Sequence, residues 1–490
     1  MQKQQVLTNA AMSVLQIIVI SVALFILYRF LLGMIGVQQF GVWSLVLATT
    51  SVANIANFGL SGGVVKFVAK YVARDEPENV SKVIQTAALS VALFVGIILL
   101  VGYPFIKWVL GFIVPPESLH LAILILPYTI WALWIMIITA TLQSGLDGLQ
   151  RIDLRSGLLI GGTVFHLILC FLIVPRYGLL GLAYARVAQI TLVLVSSWVL
   201  LRKSIKILPI IPNKWDIIVF KEIFFYGSNF QIISVMRMLL DPITKALLSR
   251  FGGLSTVGYY EMASRLVTQL RSLILSANRV LVPTFAEFKE KSPEKITYAY
   301  LTSYRLVFYL SLPLFTLLII TFPLISKVWI GHYERTFISF GMILSIGWLV
   351  NLLSGPSYIA YLGIGELRWN VAAHIVIAML NIALGFLFGF FYGGMGVVVA
   401  CVIAVMIGSS IICVSYNLKY KISIAELLPR ASRIVLLACF VSVLFDFLVL
   451  HQFKYDSNFT SLNILTVISF LVIVTFALWF HPMRNAKRKS

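Results

Sequence analysis

Long apolar runs follow one another along this chain, separated by short polar stretches. A membrane span takes about 20 largely apolar residues. About fourteen runs reach that length: 7–32, 40–65, 83–103, 119–143, 154–174, 179–201, 223–249, 257–286, 300–326, 336–362, 370–391, 396–416, 434–450 and 460–480. The pattern predicts an all-α, polytopic membrane protein. The first run is too long for a signal-peptide core, and no small-residue cleavage site ends it, so it reads as the first span.

Charge then gives the expected orientation. Between runs, one set of connections holds Lys3, Lys66, Lys70, Arg74, Lys82, Arg151, Arg155, Arg202, Lys203, Lys206, Lys214, Lys221, Lys289, Lys291, Lys295, Arg368, Lys419, Lys421, Arg430, Arg433 and the basic tail. The alternate set holds only Lys107, Arg176, Arg250, Lys327, Arg335 and Lys454. The positive-inside rule places the first set, and both termini, in the cytoplasm. Most of the net charge of +20 is thereby a topology signal, with no call for nucleic acid as a partner.

Composition agrees. The chain is 60% hydrophobic and 11% charged, against roughly 25% charged in a soluble domain. Its mean hydropathy is +0.97. The four cysteines lie singly in apolar runs, with no C-x-x-C spacing, so neither a disulfide framework nor a zinc site is expected. There is no Walker A loop and no soluble catalytic domain. No enzyme activity and no cofactor is expected, apart from coupling to Na⁺ or H⁺.

The chain repeats itself. Gly36-Val-Gln-Gln-Phe-Gly41 resembles Gly253-Leu-Ser-Thr-Val-Gly258, and 258 − 41 = 217. Tyr103-Pro-Phe-Ile-Lys-Trp resembles Phe322-Pro-Leu-Ile-Ser-Lys. Gly145-Leu-Asp-Gly-Leu-Gln-Arg151 resembles Leu362-Gly-Ile-Gly-Glu-Leu-Arg368, where 368 − 151 is again 217. Tyr177-Gly-Leu-Leu-Gly181 resembles Tyr392-Gly-Gly-Met-Gly396. Four matches in order at nearly one offset define a repeat of six spans. Six is even, so the copies share one orientation, an arrangement that places a transporter's substrate site between lobes. The expected division is a lobe at 1–201, a cytoplasmic linker at 202–222, a second lobe at 223–417, and two further helices with a basic tail at 418–490.

Charges within spans are costly and mark aqueous cavities or polar bundle interiors. They concentrate on two neighbouring spans. Ser234, Arg237, Asp241 and Lys245 fall within one arc of about 100–140° on the seventh. Glu261, Arg265, Arg271 and Arg279 lie on one face of the eighth, with Thr268 and Ser272. Arg29 and Arg186 add charge near the outer ends of spans one and six. Arginine's planar fork binds phosphate oxygens bidentately and stays charged when partly dehydrated. The set reads as a cationic cavity for an anionic headgroup. Internal pairing is the competing reading: Arg237 with Asp241 and Glu261 with Arg265, each at i,i+4. It leaves Lys245, Arg271 and Arg279 without local partners. Asp241, Glu261 and Asp446 are candidate ion-coupling groups. His166 reads more readily as a packing polar group and Asp241-Pro242 as a helix kink, while Asn54, Asn57 and Ser61 fit either the cavity or hydrogen bonds between closely packed helices.

Several motifs carry a family resemblance: Phe40-Gly-Val-Trp-Ser-Leu; Asn57-Phe-Gly-Leu-Ser-Gly-Gly63; Gln143-Ser-Gly-Leu-Asp-Gly-Leu-Gln-Arg151; Tyr177-Gly-Leu-Leu-Gly-Leu-Ala183; Leu240-Asp-Pro-Ile-Thr-Lys-Ala-Leu-Leu-Ser-Arg-Phe-Gly252; and Val257-Gly-Tyr-Tyr-Glu-Met-Ala-Ser-Arg265. On these the chain resembles the polysaccharide flippases, of the O-antigen (Wzx) type, in the multidrug/oligosaccharidyl-lipid/polysaccharide (MOP) superfamily. The resemblance implies two six-helix lobes in a V, with alternating access around a cationic cavity. It also implies a cargo, an undecaprenyl-diphosphate-linked oligosaccharide moved from the cytoplasmic to the periplasmic leaflet. The implied partners are membrane lipids, a polysaccharide polymerase and a chain-length regulator. Spans thirteen and fourteen exceed the twelve-helix core, as in lipid II flippases of the superfamily, so lipid II flipping stays open as an alternative. A multidrug antiporter fits a cation-rich cavity poorly. A membrane glycosyltransferase or polymerase fits the short outer loops least.

Overall fold

The computed structural model describes residues 2–57, 60–228, 231–279, 285, 288, 292, 294–428, 432–453 and 459–479. Every regular element among them is a helix. In order these are α1 (Gln2–Ser51), a short 3-10 helix (Val52–Asn57), α2 (Leu60–Ala73), α3 (Pro77–Ile113), α4 (Pro116–Gly148), α5 (Ile152–Ser204), α6 (Ile217–Ser228) and α7 (Gln231–Gly252). Then come α8 (Leu254–Arg279), α9 (Lys295–Ile330), α10 (Arg335–Leu353), α11 (Gly355–Ile364), α12 (Arg368–Lys419), α13 (Ile424–Leu427), α14 (Ser432–Phe453) and α15 (Phe459–Trp479).

Three helices are too long to cross once. α5 and α12 hold 53 and 52 residues, roughly 80 Å of straight helix against a hydrocarbon core of about 30 Å. Each contains one glycine outside helical conformation: Gly178 (φ 55°, ψ −132°) and Gly393 (φ 60°, ψ −147°). A Cβ on Gly162 would stand 2.5 Å from Val193, and one on Gly408 would stand 2.3 Å from Ile377. The partners are equally far apart in sequence, 193 − 162 = 31 and 408 − 377 = 31, and lie symmetrically about the two glycines. Both helices therefore double back as hairpins. α1 does the same at Gly36 (φ 74°, ψ 166°), where the Tyr28 and Phe40 rings meet edge to face at 4.8 Å. Positive φ with extended ψ is open to glycine at little cost and to few other residues.

The repeat seen in the sequence is thus a repeat of backbone geometry. Gly36 and Gly253 both take positive φ at the offset 253 − 36 = 217, and Gly178 and Gly393 match at 393 − 178 = 215. The reversals are tight. A Cβ on Gly396 would lie 2.0 Å from the Phe388 carbonyl oxygen. Gly396→Ala is expected to cut the recovery of monodisperse protein, since backbone on both sides must move. Gly33→Ala, with nothing within 4 Å, is the neutral control. Size-exclusion profiles of tagged variants check this.

Where the structure differs from the pattern, the reason is local. The second span is not one helix: it runs through the end of α1, the 3-10 turn and α2. The tenth run is divided into α10 and α11, where Pro356 at a helix start lacks an N–H.

The chain forms two compact units, Met1–Gly258 and Tyr259–Ser490. In the first, α2, α3 and α4 share a core of Val64, Val68, Val91, Val95 and Leu146. The stretch before α6 is strapped to α3. Gln85 Oε1 accepts from the Asn213 and Lys214 N–H groups at 3.0 and 3.2 Å, and Trp215 Nε1 donates to Ser90 Oγ at 2.8 Å. These contacts account for polar residues inside an apolar span. At the α4–α5 junction, Arg151 grips Asp153 with Nε and Nη2, both at 3.1 Å, which holds the Arg151 guanidinium above its ordinary pKa. A cavity of about 580 Å³ opens beside this junction, lined by Thr8, Met12, Gly157, Gly161 and Val193 among others. Among the described residues, Lys245, Arg265 and Arg271 do not line it. In the second unit, Tyr300, Tyr361 and Tyr416 pack in one aromatic cluster. α14 and α15 dock on α9 through Ile320, Val435, Cys439 and Phe470.

Candidate substrate site

The charged residues of spans seven and eight fall in different units and are described one unit at a time. In the first, α7 carries Pro242 well inside it, and the residue before the proline pairs one turn on. Lys245 Nζ lies 2.7 Å from Asp241 Oδ2, with the lysine side chain 6% exposed and the aspartate 49%. This corrects the expectation that Lys245 lacks a local partner. A buried ammonium costs several kcal/mol unless compensated, and its i−4 carboxylate is in reach. The Arg237 side chain lies outside the described residues. Arg29 is exposed on α1. Arg186 donates to Gln189 Oε1 at 2.8 Å and contacts Met136 Sδ at 3.9 Å. His166 stands over Cys170 at 3.6 Å, one turn along the same helix, as a packing polar group would. Ser61 and Asn54 are half-buried, and the side chain of Asn57 lies outside the described residues.

In the second unit, Glu261 is buried on α8, and Arg265 Nε donates to its Oε1 at 2.7 Å. The pairing expected at i,i+4 is present. Its two members differ in exposure, 9% for the glutamate side chain and 52% for the arginine. The carboxylate anchors one edge of the guanidinium while much of the group stays accessible. Arg271 is not the partnerless cation its sequence position suggests. Its Nε and Nη2 donate to Asn351 Oδ1 at 3.0 and 2.7 Å, and its guanidinium lies 4.6 Å over the Trp348 ring. Asn351 Nδ2 in turn donates to Ser409 Oγ at 2.9 Å. Trp348, Asn351 and Ser409 come from α10 and α12, more than 75 residues along from Arg271 (348 − 271 = 77). No spacing in the sequence points to them. The Arg279 side chain lies outside the described residues. Asp446 is buried among Asn463 and Thr466.

Arg265 and Arg271 of α8 thus share one construction. Each guanidinium is oriented by an oxygen of the same unit, and arginine at such a position offers a fixed, permanently charged fork to oxyanions.

The fold defines a polytopic helical membrane protein. The chain belongs to the polysaccharide biosynthesis protein family, whose profile matches residues 6–289. It is 24% identical over 388 residues to a Shigella flexneri protein named "Putative O-antigen transporter", covering 77% of this chain and 90% of that one. Among solved structures it superimposes on an inward-facing multidrug resistance MATE family transporter of the MOP superfamily, with a TM-score of 0.72 and 16% identity, over 81% of this chain and 94% of the other. The lipid II flippase MurJ, in an inward closed conformation, matches with a TM-score of 0.63 and 16% identity over 94% of this chain and 99% of its own. A MOP superfamily transporter from Pyrococcus furiosus matches with a TM-score of 0.62 and 15% identity, over 86% and 96% of the two chains. The fold is the one these transporters share.

Proposed function

We propose that this protein flips an undecaprenyl-diphosphate-linked oligosaccharide from the cytoplasmic to the periplasmic leaflet of a bacterial inner membrane. The observation that carries the reading is the pair of oriented arginines on α8, Arg265 and Arg271, in a chain of the polysaccharide biosynthesis family. A diphosphate presents several oxygens to such forks, and two charge-assisted contacts hold it better than one. Arg237 and Arg279, on the same helix pair, are the further cations of the proposed cavity, with Arg29 and Arg186 near its outer mouth. Trp348 offers a flat face beside Arg271 of the kind sugars and cations pack on. The polyprenyl tail stays in lipid while the two repeats, acting as lobes, rock around the headgroup.

The relative named for O-antigen transport supports the cargo class, and the shared MOP fold supports alternating access. With both termini cytoplasmic, the released product is positioned for a polysaccharide polymerase and its chain-length regulator. A cation gradient is the proposed energy source, with Asp241, Glu261 and Asp446 as coupling groups; Lys245, neutralised by Asp241, drops to a supporting role.

The test is made on a strain lacking the gene. Lipids are extracted, undecaprenyl-diphosphate-linked glycans are resolved by mass spectrometry, and the leaflet is read with a membrane-impermeant label. The expected result is a trapped oligosaccharide on the cytoplasmic leaflet, moved outward when the gene is restored. Accumulation of lipid II instead would reassign the cargo, and unchanged glycolipids with altered drug export would reject it.

A further inference from the structure

The connection between α5 and α6 runs from Ile205 to Asp216 without a regular element. Pro209 and Pro212 help keep it so, because each lacks an N–H. One side of the connection is fixed. Ile205 and Leu208 are buried in the core that α2, α3 and α4 share. The Asp216 N–H donates to Thr86 Oγ1 at 3.2 Å, next to the bonds already described to Gln85 and Ser90. Trp198 Nε1 of α5 donates to the Ile210 carbonyl at 2.7 Å. The other side is bare. Ile210 and Ile211 are 71% and 73% exposed, and Ile207 and Trp215 are 52% and 49% exposed. Lys206 and Lys214 flank the isoleucines, and both are exposed, as are Lys203 and Lys221 at the two ends. On α6, Ile218 and Phe225 continue the apolar surface at 67% and 65%, two turns apart on one helix face.

Three surroundings are open to such a surface, and two conflict with its chemistry. The hydrocarbon core of a bilayer tolerates no lipid-exposed irregular backbone, because the N–H and C=O groups find no water there. Lysines at that depth are costly as well. Open water would leave neighbouring isoleucines bare beside a tryptophan, and contiguous exposed apolar groups mark an interaction surface. The interfacial layer satisfies every part. There the backbone keeps water, the isoleucines reach the acyl boundary, Trp215 takes a position such rings favour, and the lysines sit among headgroups. The excess charge then selects the lipid. Across 202–222, Arg202, Lys203, Lys206, Lys214 and Lys221 are set against Asp216 and Glu222 alone. Asp216 Oδ1 is turned to the start of α6, where it accepts from the Ile218 and Val219 N–H groups at 2.8 and 3.3 Å.

We infer that the α5–α6 connection is a docking surface for anionic phospholipids, with Ile210 and Ile211 at the acyl boundary and Lys206 and Lys214 against the phosphates. By the charge rule it lies on the cytoplasmic leaflet. Its bonds to α3 tie the lipid contact to the first unit, so anionic lipid holds α3 and α6 at a set depth. The surface does not depend on which cargo is carried.

Full-length protein carrying Ile211→Cys is labelled with a small thiol-reactive fluorophore and reconstituted in vesicles of phosphatidylcholine and phosphatidylglycerol, with one lipid or the other brominated on its acyl chains. Protein without the substitution, labelled in the same way, gives the background from the native cysteines. Bromines near the glycerol are expected to quench the label more than bromines near the chain end. The reverse order is expected at Leu93→Cys on α3, a site 60% exposed within a span. At Ile211→Cys, brominated phosphatidylglycerol should quench better than brominated phosphatidylcholine at equal mole fraction. Lys206→Gln and Lys214→Gln, both at exposed positions, should each lower that preference by about fivefold and leave quenching by phosphatidylcholine in place. Equal quenching by the two lipids, or a preference unchanged when both lysines are replaced, overturns the inference. So does a label quenched at the depth of Leu93→Cys, or one quenched by aqueous iodide and by neither lipid. A label shielded from lipid and iodide alike overturns it too, since this face would then be a contact between copies of the chain.

Discussion

Arg271→Ala is expected to lower outward movement of the lipid-linked glycan by about 10–100-fold, with the protein still inserted and recovered in normal amount. The figure follows from a hydrogen bond to a charged group, worth about 1.5–3 kcal/mol. Insertion should survive because Arg271 sits inside a span and sets no topology. Arg271→Lys should recover only part of the loss. An ammonium can keep the charge and the place beside Trp348, but it cannot donate two bonds to Asn351 Oδ1 while presenting a fork to a phosphate. Asn351→Leu should then act through Arg271, and the double variant should be no worse than the worse single one, as coupled residues behave. Arg265→Ala is expected to fall similarly, with Glu261→Gln milder, since that change loosens the guanidinium and leaves it in place. The measurement is leaflet-resolved glycolipid in a strain carrying each variant. Normal transport by both alanine variants would remove the cationic site from the proposal.

The second large effect is expected at Gly41 and Gly258. A Cβ on Gly41 would lie 1.9 Å from the Leu254 carbonyl oxygen, and one on Gly258 would lie 2.7 Å from that of Val37. The two contacts are one contact made twice, since 258 − 41 and 254 − 37 both equal 217. Equivalent segments of the two repeats meet backbone to backbone, and Ser249 Oγ adds a bond to the Ile113 carbonyl close by. All of these residues belong to the first compact unit. By the charge rule this end of the helices is the outer one. Gly41→Val should hold the end open. Overpacking costs about 1–3 kcal/mol, which shifts a two-state equilibrium by roughly 5–150-fold. Transport is expected to drop by a like factor. A cysteine placed at position 33, with nothing within 4 Å of its Cβ and helical backbone, should become more reactive to a membrane-impermeant thiol reagent in the Gly41→Val background. Unchanged reactivity and transport would show that the glycines matter only for packing.

Much of this was legible in the chain itself. The fourteen apolar runs, the charge alternation and the repeat are properties of composition and order, and a bilayer leaves few other ways to satisfy such a sequence: the backbone must hydrogen-bond within each span. The glycines at 36, 178, 253 and 393 stood in the repeated motifs before their positive φ was known, because no other residue accepts that backbone cheaply. The Glu261–Arg265 pair was legible too, since i,i+4 is fixed by the helix.

Tertiary structure decided the rest. Whether a cation is free or held depends on neighbours distant in sequence, and so Asn351 beside Arg271, and Asn463 with Ile320 around Asp446, were invisible until α8 met α10 and α14 met α15 and α9. Even within a helix, the sequence did not show that the Lys245 ammonium would be buried against Asp241. Sequence fixes which charges a span must accommodate; only packing determines which of them water, or an anionic cargo, can still reach.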